Sequence, residues 1–177
     1  WNGCTPTDLV FPFFLFIVGV SIAYAMGSKK LDPASHQKTI LKALKRALIL
    51  FGLGFILAIF PRDFATYNFV DAIKNVRIPG VLQRIAVVFF ICSVIFLKSS
   101  EKTIFRTIII ILLSYWALMT FMPVPGFGPA NLEKETNLGA WLDRTILTEA
   151  HLWKSAITWD PEGILSTLPA VATGLFG

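Results

Sequence analysis

Two arginines stand where an arginine is costly. Arg84 follows Leu82-Gln83 and opens an uncharged run that continues to Leu97. A guanidinium in such a span normally faces the protein interior and an anionic partner. Arg77 lies seven positions earlier, so a continuous helix would put both on nearly the same face. Together they could hold a phosphate or carboxylate of a substrate. They could equally form structural ion pairs with Asp8, Asp71 or Asp160. Asp8, Asp160 and Glu162 each sit where a helix should begin, and capping accounts for all three. Paired carboxylates can also serve as acid and base, although their spacing in sequence leaves their separation open. His151 lies beside Leu152-Trp153 and could take the proton of an attacking amine, or could be a half-buried loop histidine. His36, in a basic loop, reads as solvated. Cys4 and Cys92 have no His or Cys at ligand spacing, so no metal site is expected.

The elements that must position these groups are membrane spans. With 55% apolar and 15% charged residues and a mean hydropathy of +0.67, the chain is no ordinary soluble domain. The pattern predicts one all-α domain over 1–177, a polytopic transmembrane helix bundle of about five spans. These fall at 9–26, 39–60, 78–97, 105–122 and 161–177, with a long non-cytoplasmic loop over 123–160. Thr5-Pro6-Thr7-Asp8 reads as a capping box opening the first span. Pro61-Arg62-Asp63 opens a mixed-charge loop, and Asn137 to Lys154 has the spacing of a short amphipathic helix. Asp160-Pro161 reads as an N-cap followed by the first helical residue of the fifth span. The chain starts at Trp1 and stops at Gly177 within an apolar run, and is expected to be part of a longer protein.

Topology follows from the charges. Lys29, Lys30, Lys38, Lys42, Lys45 and Arg46 crowd the loop 27–46, and Lys98, Lys102 and Arg106 the loop 98–106. The positive-inside rule makes both cytoplasmic. Lys29, Lys30, Lys42, Lys45 and Arg46 could hold the phosphates of a nucleotide cofactor; setting topology is the simpler role. No Walker or Rossmann glycine pattern accompanies them. Basic residues confined to span ends argue against a nucleic-acid partner and for the lipid bilayer. The N-terminal octet, the Arg77 loop and the His151 loop then share the opposite face, and their convergence points to a site there.

Four blocks carry a resemblance: WNGCTPTDLVFPFFLFIVGVSI from Trp1, VRIPGVLQR from Val76, MPVPGFGP from Met122, and HLW…WDPEGIL between His151 and Leu165. In this order they resemble the heparan-α-glucosaminide N-acetyltransferase family and its bacterial relatives. The resemblance implies a membrane-embedded acyltransferase of the bacterial inner membrane. It would move an acetyl group from cytoplasmic acetyl-CoA, a co-substrate, to the amino group of a glucosamine-type sugar or glycan on the far side. The family's catalytic histidine would precede Trp1. Asn2 and Asp8 would line the rim beside it, Arg77 and Arg84 would belong to the facing block, and Asp160 and Glu162 to the start of the following span. Two other readings compete. One is an amino-sugar permease, which predicts repeated halves and broken spans. The other treats Arg84 and the acids as a structural ion-pair network. Faces that pack on further helices would meet lipid or, in a homo-oligomer, a second copy.

Overall fold

The computed structural model describes residues 5–60, 68–129 and 131–177. Asn2, Cys4 and residues 61–67 of the loop opened by Pro61-Arg62-Asp63 lie outside the described residues. The elements run α1 (Pro6–Lys30), α2 (Pro33–Ile59), α3 (Phe69–Lys74), α4 (Val81–Lys98), α5 (Glu101–Phe121), α6 (Leu138–Leu147), a 3₁₀ turn (Glu149–His151) and α7 (Thr167–Phe176). Among the described residues there is no β-strand. The fold is a helical membrane bundle. By length and composition α1, α4 and α5 can each cross a bilayer. In α2, Lys38, Lys42, Lys45 and Arg46 fill the N-terminal half, and α7 has 10 residues.

Helix starts follow local chemistry. Asp8 accepts from the Thr5 N–H and from Thr5 Oγ1, both at 2.8 Å, so the carboxylate ties off the first turn of α1. Asp32 accepts from the Ala34 N–H at 3.2 Å and starts α2 at Pro33, ahead of the expected 39. Ser100 starts α5 by accepting from the Thr103 N–H at 3.3 Å. The Asp160-Pro161 start is corrected: residues 161–166 form turns, and α7 begins at Thr167 after Ser166. Asp160 accepts from the Glu162 N–H at 2.9 Å, but that bond closes a turn rather than a helix, and the carboxylate is shared with Arg77 as described below.

α4 lies at the centre, packed on α1, α2 and α7. Its Ile85, Val88, Cys92 and Leu97 meet Leu15, Ile22 and Met26 of α1, Ala43 of α2, and Ala170 and Val171 of α7. α1 and α7 touch backbone to backbone. A Cβ at Gly19 would lie 1.9 Å from the Gly174 carbonyl oxygen, so only glycine permits this approach. α5 buries Ile108 and turns Phe105, Ile110, Leu113 and Trp116 outward. That much continuous apolar surface is tolerable in lipid, where the helix already satisfies its own backbone.

Candidate functional site

The chain is irregular between Val76 and Gly80, and Arg77 stands in that segment, outside α4. The expectation that Arg77 and Arg84 share a helix face is therefore corrected, because Pro79-Gly80 delay the helix to Val81. They converge by another route, on the segment 160–166. Arg77 grips Asp160 bidentately, Nε donating to Oδ2 at 2.9 Å and the terminal nitrogen to Oδ1 at 2.6 Å. The same nitrogen donates to Glu162. The Asp160 side chain is fully buried, while Arg77 keeps 26% of its own exposed. Burial pulls the Arg77 pKa down, but the hydrogen bonds and charges of Asp160 and Glu162 outweigh it and hold it above its ordinary value. Of the structural pairings open to Arg77, that with Asp160 is the one formed. The hydrogen bonds of the Asp8 side chain go to Thr5.

Arg84, in the first turn of α4, donates to the Gly163 carbonyl at 3.0 Å and to Ser166 Oγ. It is 9% exposed, and its Nε has no hydrogen-bond partner among the described residues. Glu162, Asp160 and Asp143 lie within electrostatic reach of it. A third group completes the hold. Asp143 of α6 accepts from the Ile164 N–H at 2.8 Å. Its burial raises its pKa above the usual carboxylate range, despite that hydrogen bond. Arg77, Arg84 and Asp143 thus fasten successive residues of the turn leading into α7. Asp143 was missed as a site residue; the available signal was an acid directly after Trp141-Leu142 in an amphipathic stretch.

His151 joins the two loops. Its Nδ1 lies 2.7 Å from the Val76 carbonyl, and the Ile78 N–H donates to the His151 carbonyl at 3.0 Å. A carbonyl only accepts, so Nδ1 carries a proton and donates it. Trp153 and Trp159 pack edge to face with centroids 5.6 Å apart, and the Arg77 guanidinium lies 6.0 Å from the Trp153 ring centre.

The basic candidates are divided. Lys29, Lys42 and Arg46 line a cavity of about 50 Å³ between α1 and α2. Lys45 faces a separate depression with Lys38 and Lys42. Lys30 sits 4.4 Å over the Phe96 ring, away from both.

This fold and its polar cluster define an integral membrane protein in which the loops at one end are locked to a central helix by buried charge. Residues 1–68 match a family described as "Domain of unknown function (DUF5009)". Over its whole length the chain is 30% identical to heparan-alpha-glucosaminide N-acetyltransferase of Mus musculus, of which it covers 33%. It is also 30% identical to the Homo sapiens protein of that name, of which it covers 32%. The chain spans about a third of the length of these curated relatives. The similarity to heparan-alpha-glucosaminide N-acetyltransferase runs from one end of the chain to the other.

Proposed function

We propose that this chain forms part of a membrane-embedded acyltransferase. The enzyme takes an acetyl group from acetyl-CoA on the cytoplasmic side and delivers it to the amino group of a glucosamine-type sugar on the far side. The observation that carries the reading is the end-to-end homology to N-acetyltransferases, joined to the gathering of Arg77, Arg84, Asp160 and Glu162 into one cluster. We place the protein in a bacterial inner membrane with residues 27–46 and 98–106 cytoplasmic.

In the reaction the free amine attacks the thioester carbonyl, a C–N bond forms, the C–S bond breaks, and coenzyme A leaves as its thiol. The amine's proton passes to a base. The histidine expected before Trp1, beside Asn2 and Asp8, is assigned that role. His151 staples two loops, its Nδ1 donating to the Val76 carbonyl. The Arg77 and Arg84 contacts fix the outer wall, so that amine and thioester can be held in reacting geometry. Lys29, Lys42 and Arg46 are the best-grouped cytoplasmic cations for the cofactor phosphates.

The test is acetyl transfer by the purified full-length protein in nanodiscs, followed by mass spectrometry of the sugar and by thiol release. The reading predicts N-acetylglucosamine and free coenzyme A in equal amounts, with glucose left unmodified. Absence of both products, with the protein folded and both substrates present, would contradict it.

A further inference from the structure

A cavity of about 220 Å³ opens beside this cluster, between α5, α6 and the turn before α7. Its lining is two-sided. Tyr115, Met119 and Trp159 supply apolar and aromatic surface, while Lys134, Asn137, Asp143 and Ser166 supply polar atoms. A volume of this order is below that of a whole drug-sized site, and suits one six-membered ring. A pyranose has the same two-sided character, with C–H faces that pack on aromatic rings and hydroxyls around the edge.

Asp143 adds a charge requirement. It is 2% exposed, and no ion pair neutralises it among the described residues. Its Oδ1 is used by the Ile164 N–H. Its Oδ2 lies against Gly163, so close that a Cβ there would sit 2.0 Å away, and makes no hydrogen bond to a described residue. Asp160, on the same wall, differs because Arg77 occupies both of its oxygens. Arg84 and Arg144 act on Asp143 only from beyond ion-pair distance, and a buried carboxylate with no cation in contact favours a ligand that brings one.

We infer that this cavity is a subsite for one hexosamine ring of the acceptor, with Asp143 Oδ2 receiving the ring's ammonium group and Trp159 and Tyr115 flanking the sugar. Calling the ring part of the acceptor rests on the acyltransferase reading; the binding itself does not. The subsite anchors the glycan, and no bond is made or broken there.

The test is binding of glucosamine and of glucose to the full-length protein in nanodiscs, without acetyl-CoA, by calorimetry and tryptophan fluorescence. Wild type should prefer glucosamine by about tenfold or more, the worth of one charge-assisted hydrogen bond. Asp143→Asn keeps an oxygen for the Ile164 N–H and should erase the preference. Trp159→Leu should weaken both sugars alike. Equal wild-type affinity for the two sugars would overturn the inference without reliance on any variant. So would a preference that survives Asp143→Asn. Charge-dependent binding without acetyl transfer would remove the enzyme and leave the subsite. Transfer by a protein lacking the preference would do the reverse.

Discussion

Replacement of Arg77 by alanine isolates the strongest polar lock in the molecule. Asp160 would keep the Glu162 N–H, 2.9 Å from Oδ1, and lose both guanidinium contacts while its side chain stays fully buried. Removing one partner of a buried pair costs about 3–5 kcal/mol. Because 26% of the Arg77 side chain is open, water can enter the gap, so the lower end applies, about 3 kcal/mol. Arg77→Lys should recover part of this, since an ammonium keeps the charge but not the planar fork. In Arg77→Ala/Asp160→Asn the uncompensated charge is gone, and the double variant should recover about 2 kcal/mol of the loss. The assays are thermal unfolding in nanodiscs and hydrogen exchange of the 159–167 segment. Faster exchange should be concentrated at the Glu162, Gly163 and Ile164 amides. A loss below about 1 kcal/mol, as for exposed pairs, or strict additivity in the double variant would refute the reasoning.

Gly19→Ala should disrupt the α1–α7 crossing, because the new Cβ meets the Gly174 backbone; Gly27→Ala, with nothing within 4 Å, should be silent. Yield of monodisperse protein reads the difference. The folded Asp143 holds its proton to higher pH than the unfolded chain does. Its contribution to stability therefore falls as pH rises from the ordinary carboxylate range through its raised value. Asp143→Asn should remove that slope and match or exceed wild-type melting at neutral pH. Asp143→Leu should lose about 1–3 kcal/mol by orphaning the Ile164 N–H, which melting curves against pH will show. His151→Phe should free the Val76 carbonyl and speed exchange in the Arg77 loop, leaving α1 unaffected.

The membrane bundle was legible because long uncharged runs leave few alternatives, and the start of α1 because Thr5, Pro6 and Asp8 lie within one turn of each other. The importance of Arg77 and Arg84 was legible too, since charge beside a span needs an explanation. Their partners were not. Asp160 is 83 positions from Arg77, and no local pattern reports so distant a contact. Capping chemistry explained Asp160 well enough in sequence, yet its carboxylate serves the Glu162 N–H and Arg77 together, and α7 starts seven residues later at Thr167. Asp143 was hidden for a related reason. An acid in a polar loop looks solvated, and only the packing of α6 against the turn at Gly163 and Ile164 reveals it as buried.

The central claim is transfer across a membrane, and sided proteoliposomes test it most directly. Labelled acetyl-CoA is supplied to the face carrying residues 27–46 and glucosamine to the other. The account predicts labelled N-acetylglucosamine on the glucosamine side, with coenzyme A retained opposite. Unmodified glucosamine crossing without acetyl-CoA would contradict it and identify a permease instead.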